Sequence, residues 1–227
     1  FSINHPFLYI WKWLYGDLRL DGVHCLEIIN DPTYEADPEA KAGKANQRAV
    51  ALADLLWADG HRICAIGGSD SHNTLEERYP GATEPSVPGD PATFVYMEDL
   101  SAEHLLEGVR SCNCYVTRHC RIETGLLFGG QLPEDKEELP YRICLRGQKE
   151  KPEIFYLHNG KRVDCRVTGR EDAWEAAGTV RLTEEAYQWI RFGAEAKDGG
   201  FLFYGNAITR GTGKQKLRTF GEAVEQL

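Results

Sequence analysis

No stretch of the 227-residue chain is apolar for long enough to cross a bilayer as a helix, so no membrane span is expected. Positive charge is also scarce. Against 35 Asp and Glu stand 26 Lys and Arg, for a formal charge of -9. Nucleic-acid phosphates are held by clustered Lys and Arg, so no nucleic-acid partner is expected. A disulfide framework is missing too: the seven cysteines are odd in number and sit in strand-like contexts such as VHCLEI and RICAIG. That pattern suits reduced thiols and weakly favours a cytoplasmic location. There is no internal repeat, no low-complexity tract and no Gly-x-Ser-x-Gly elbow of the kind that carries a serine nucleophile.

What the chain does contain is an ordinary globular composition, 42% hydrophobic and 27% charged, at a length that suits two modest domains. Phe1 opens directly into an apolar stretch with no preceding leader, which leads to the expectation that the chain is the C-terminal part of something longer.

Over residues 1–120 short apolar runs alternate with helical stretches, the pattern of parallel βα units. Strands are expected at 1–4, 23–29, 62–66 and 93–97. The clearest helix is AKAGKANQRAVALADLLWADG, where Ala45, Ala49, Leu52 and Leu56 fall on one face and Gly60 can take a left-handed cap. A second helix is expected to start behind Ser101 as N-cap. From about residue 121 the chain reads as antiparallel and all β. Asn159-Gly160 suits a tight hairpin, and YQWIRFGAEA alternates, with Ile190, Phe192, Ala194 and Ala196 on one face and Tyr187, Trp189 and Glu195 on the other.

Chemistry concentrates in GGSDSHN, residues 67–73. Asp70 and His72 follow an expected strand, where loops of parallel α/β folds build their sites. Spaced by two on extended backbone, a carboxylate and an imidazole aim to the same side. Oxygen and nitrogen donors of this kind suit Zn, Mn or Fe. Equally, Asp70 or Ser69 could cap a following helix while His72 is merely solvated. His5, in INHPF, ends the first expected strand and so lies at the same rim as Asp70 and His72.

The succession NHPF, LEIIN, a helix carrying Asn46 and LLWADG, AIGGSDSH, and PATFVYMEDLSAEHLLEGVRSCNCYVT resembles the C-terminal half of the polymerase and histidinol phosphatase (PHP) superfamily, most nearly its CehA/McbA-like metallohydrolases. The resemblance implies an α/β fold: the C-terminal part of a distorted PHP-type (β/α) barrel over residues 1–120, followed by an all-β sandwich-like domain over 121–227. It implies His5, Asp70 and His72 as ligands of divalent metal ions, with Glu27, Asn30 and Ser69 in supporting or substrate-rim positions. Asn46 and Trp57 match helix positions, Trp57 as core. The family's opening His-x-His has no counterpart among the seven histidines, so the site is expected to be incomplete in this chain.

These readings imply a metal-dependent hydrolase in which metal-activated water attacks a phosphoester, or an amide, ester or carbamate, of a small-molecule substrate. The alternative is a non-catalytic remnant that binds a partner or a glycan through its β-sandwich; aromatics exposed around Tyr187 and Trp189 would favour it. Cys112, Cys114, His119 and Cys120 lack the spacing of a zinc site, and GTGK at 211–214 lacks that of a phosphate loop.

Overall fold

The computed structural model describes residues 1–8, 11–32, 42–78, 80, 82–170 and 172–227. Among them the chain forms fifteen strands and three α-helices, and it divides into two compact units. Unit 1 comprises Phe1–Thr93 together with Lys214–Leu227; unit 2 is Phe94–Gly213. The boundary therefore lies well before the residue 120 expected from composition, and the chain returns to unit 1 at its end. None of the described helices is long and apolar enough to cross a membrane.

In unit 1, β1 (Ser2–Ile3), β2 (Cys25–Asn30) and β3 (Cys64–Gly68) form a parallel sheet with β2 in the middle. All six residues of CLEIIN are buried, as a central strand covered on both faces requires. Helix α1 (Ala42–Ala58) packs on β2. Its described apolar stripe, Ala45, Ala49, Leu52, Ala53, Leu56 and Trp57, is buried. The first two residues of the expected helix, 40 and 41, lie outside the described residues. Trp57 Nε1 donates to the Ile63 carbonyl at 3.0 Å, so its role is structural. At the end of α1, Gly60 at φ +90° lets its own N–H reach Trp57 O at 3.0 Å while His61 N–H reaches Leu56 O at 2.9 Å, a Schellman closure.

The returning segment seals unit 1 at the same place. Gln215 N–H donates to Asp59 O at 2.7 Å, Leu217 N–H to Asp59 Oδ2 at 2.8 Å, and His61 Nε2 pairs with Leu217 O at 3.0 Å. A short helix, Phe220–Val224, follows with a complete Thr219/Glu222 capping box.

Unit 2 holds a small sheet and, apart from Ala92 and Thr93 at the start of its last strand, a large one. The eight-stranded sheet has the order β10 (Lys161–Asp164), β9 (Glu153–His158), β13 (Gln188–Glu195), β14 (Phe201–Gly205), β5 (Cys114–Thr117), β4 (Ala92–Val95), with β15 (Ile208–Arg210) bridging β13 to β7 (Gln131–Leu132). Helix α2 (Ala102–Arg110) lies between β4 and β5 in the chain. Ser101 caps it by accepting His104 N–H at 3.2 Å. The four-stranded sheet has the order β11 (Val167–Arg170), β12 (Ala173–Arg181), β8 (Glu138–Arg146), β6 (Arg121–Thr124).

The two sheets meet over a core that includes Phe128, Ile143, Leu145, Ile154, Ile190, Phe192 and Phe203. Tyr141 of β8 links them: its ring lies 5.1 Å from Phe192 and 5.9 Å from Tyr156, and its hydroxyl donates to Cys165 Sγ at 3.4 Å. The residue opposite Tyr141 on β12 is Gly178, where a Cβ would come within 2.7 Å of the Tyr141 hydroxyl. Phe192, Ile190 and Ala194 point into this core as their alternation requires.

Three expectations need correction. The chain is not the C-terminal part of a (β/α) barrel: it is mostly β, its sheets are open, and parallel pairing in unit 1 stops at three strands. The run expected at 93–97 forms β4 but joins β5 in the larger sheet of unit 2, because strand partners are set by non-local packing that a local pattern does not encode. Trp189 is 3% exposed, so it offers no aromatic binding face; β13 is covered on both sides.

Candidate functional site

The carboxyl ends of β1, β2 and β3 lie side by side, and each is followed by a non-glycine residue in left-handed backbone: His5 at φ +35°, Asp31 at φ +29° and Asp70 at φ +47°. Side chains other than glycine avoid this region unless their surroundings hold them there, and such residues concentrate where function needs them. Asp31 escapes sequence reasoning, because nothing in LEIIND marks it beyond its place after a buried strand.

Both histidines are orientated by main-chain carbonyls. The Nδ1 of His72 lies 2.6 Å from the Asp70 carbonyl oxygen, and that of His5 lies 3.2 Å from the Trp11 carbonyl oxygen. A carbonyl only accepts, so each Nδ1 is the donor, and in the neutral ring Nε2 then carries the lone pair. This is the usual way in which a ligating histidine is held. Asp70 Oδ1 lies 3.9 Å from His72 Nδ1; both side chains are open to solvent, the imidazole the more so.

Glu27, by contrast, is 8% exposed. One carboxylate oxygen accepts the His5 N–H at 2.6 Å and the other accepts Asn30 Nδ2 at 3.2 Å. Burial pushes its ionisation above the ordinary carboxylate range; the two hydrogen bonds and His5 oppose that shift, and the negative charge of Asp70 adds to it. Glu27 is thus a carboxyl group inclined to hold its proton, within electrostatic reach of both His5 and Asp70.

Asn30 is buried and its backbone is bracketed by Asn46: Asn30 N–H donates to Asn46 Oδ1, and Asn46 Nδ2 donates to Asn30 O, both at 3.0 Å. Asn30 Oδ1 is left buried without a hydrogen-bond donor among the described residues. Ser69 contributes its carbonyl, which accepts Ser86 Oγ–H at 2.8 Å, and Ser71 Oγ–H donates back to Ser86 O at 2.7 Å. These bonds hold the GGSDSHN loop.

The structure therefore links His5, Glu27 and Asn30 by direct hydrogen bonds and places Asp70 near Glu27. His72 is tied to Asp70. In donor type the set fits a divalent metal ion: two imidazole Nε2 lone pairs and a carboxylate. In position it falls short, since among the described residues no group of three or more His, Cys, Asp or Glu side chains is close enough together to hold an ion.

Two cysteines of the same sheet form a second feature that the sequence reading did not reach. Cys25 and Cys64 are register partners across β2 and β3, and a hydrogen bond from Cys64 is the main cause that brings the Cys25 thiol down to about 7, against the opposing effect of burial. Neither cysteine is near the other in sequence, so only strand register reveals the pair.

Compared with known proteins, the chain matches no family model and no curated protein.

Proposed function

We propose that the carboxyl edge of β1–β3 is a hydrolytic site working with a divalent metal ion, Zn, Mn or Fe, on a phosphoester or a related amide, ester or carbamate bond of a small molecule. His5, Asp70 and His72 are its protein ligands. The observation that carries this reading is the pinning of both imidazoles by backbone carbonyls at Nδ1, which reserves Nε2 on each for coordination.

When bound, the ion supplies Lewis acidity and lowers the pKa of its water. The chain's own part is positional and protonic. Asn30 and the His5 N–H hold the Glu27 carboxyl in place, and its raised ionisation range makes it able to carry a proton that a leaving group needs. Because imidazole ligands must be neutral, cation affinity and rate are expected to fall together in acid.

The test is metal uptake and hydrolysis of p-nitrophenyl phosphate and p-nitrophenyl acetate by the protein loaded with each of the three cations. His72→Ala and Asp70→Ala are expected to abolish turnover and weaken cation binding by at least about tenfold, a lost ligand's cost, with the circular dichroism spectrum unchanged. A protein that takes up none of the cations, or whose rate and cation content survive both substitutions, overturns the proposal.

A further inference from the structure

Unit 2 departs from its own inside-outside pattern at one corner. Along β9, Ile154, Tyr156 and His158 share one side of the strand, and the first two face the core: Ile154 is 1% exposed, and Tyr156 packs 5.7 Å from Phe192. On β10, Lys161 pairs with His158 and Val163 with Tyr156, so Lys161 belongs to the same side. A row that should stay apolar thus ends in an imidazole and an ammonium. His158 is half-buried and Lys161 exposed, so the apolar row opens to solvent at this polar end.

Tyr156, His158, Lys161 and Val163, with Thr179, Val180 and Arg181 of β12, line a cavity of about 400 Å³ between the two sheets. That volume suits a monosaccharide-sized ligand. Lys161 and Arg181 bring positive charge, and no carboxylate is among the described residues that line the cavity, in a chain whose net charge is -9. The nearest acid in an ion pair is Glu138, 3.8 Å from Arg181 Nε, where both side chains are largely exposed and screened.

The polar atoms are sorted by their neighbours. Gln188 Nε2 donates to Thr183 O at 2.8 Å and Glu185 O at 3.2 Å, so its Oε1 is the atom that faces His158 Nε2 at 2.8 Å. His158 Nε2 must therefore carry the proton, which leaves Nδ1 as an acceptor in the neutral ring. Burial pushes the Tyr156 phenol upward, keeping its hydroxyl a donor.

We propose that this cavity binds a small hydroxylated anion, a sugar bearing a phosphate or carboxylate group. Lys161 and Arg181 hold the oxyanion, the Arg181 fork matching two of its oxygens. The Tyr156 hydroxyl donates to the ligand, and His158 Nδ1 accepts one of its hydroxyls. The inference concerns unit 2 alone and does not depend on the hydrolytic reading of unit 1.

An NMR titration of the full chain tests it, with glucose 6-phosphate and glucuronate as probes and with glucose and inorganic phosphate as separate arms. Both sugar anions, or one of them, are expected to shift the resonances of Tyr156, His158, Lys161 and Thr179, and the stronger binder names the anionic group. Lys161→Ala and Arg181→Ala, both at exposed positions, are each expected to weaken that binding about tenfold, the worth of one charged hydrogen bond. Glucose and inorganic phosphate, each carrying half of the recognition, are expected to bind at least about tenfold more weakly. Binding unchanged by His72→Ala separates this site from the one in unit 1. The proposal is overturned if neither sugar anion perturbs these residues, if inorganic phosphate or glucose binds as tightly as the sugar anions, or if both folded variants bind as the parent does.

Discussion

The Glu27 carboxylate accepts the backbone N–H of His5 at 2.6 Å, joining the middle strand of the parallel sheet to the residue that leaves its neighbour. Because burial raises the ionisation of this carboxyl, the folded state binds its proton more tightly than the unfolded chain does. The contribution is fully present below the ordinary value of 4.5 and is lost as pH rises through the higher folded value. Glu27→Gln removes the titration. Thermal melts between about pH 4 and about pH 8 should show the parent losing stability relative to this variant as pH increases; parallel pH profiles would contradict the assignment.

Cys64 is the donor that lowers the Cys25 thiol to about 7. In Cys64→Ala that ionisation should move up, towards or beyond the ordinary 9.0, since burial alone disfavours the thiolate. Thiolate absorbance followed against pH reads the change directly, with Cys25→Ala identifying which step belongs to this residue.

Asn46 serves both main-chain groups of Asn30 with one amide. Replacing it by alanine leaves a buried N–H and a buried C=O without partners, at a cost of about 2 kcal/mol or more. Denaturant melts should register that loss with an unchanged slope, and Asn46→Asp, which keeps only the acceptor, should lie on the destabilised side as well.

Gly129 sits at φ +77°, and a Cβ there would fall 1.9 Å from the Cys112 carbonyl oxygen. Backbone cannot yield as a flexible side chain can, so Gly129→Ala combines a strained φ with a hard collision. A loss of about 3 kcal/mol or more is expected. Gly160→Ala, also at positive φ but with nothing within 4 Å, separates the two effects and should cost clearly less.

Local signals were legible where local physics decides them. The stripe of Ala45, Ala49, Leu52 and Leu56, the Gly60 stop and the Ser101 cap all stand in the structure, as do the first three expected strands, each shifted by a residue or two. The Asn159-Gly160 turn is there with both residues at positive φ. What stayed hidden is long-range. The run ending at Val95 looks like another parallel strand, yet its hydrogen bonds go to the strand after α2, and that choice undoes the barrel. For the candidate site, the residue types and their strand-end positions were visible beforehand in His5, Asp70 and His72. The desolvation of Glu27, the left-handed Asp31 and the carbonyls that pin the imidazoles exist only once the strands are side by side.

The bonds from Gln215 and Leu217 to Asp59, and from Leu217 to His61, have a consequence for synthesis. On the ribosome residues 1–93 emerge before unit 2, but the segment that closes α1 comes only after residue 213. Unit 1 must therefore wait, with the carboxyl end of its main helix uncovered, until residues 215–217 have been made. Nascent chains stalled before residue 214 should show that helix end open to proteases, and those released beyond it should not.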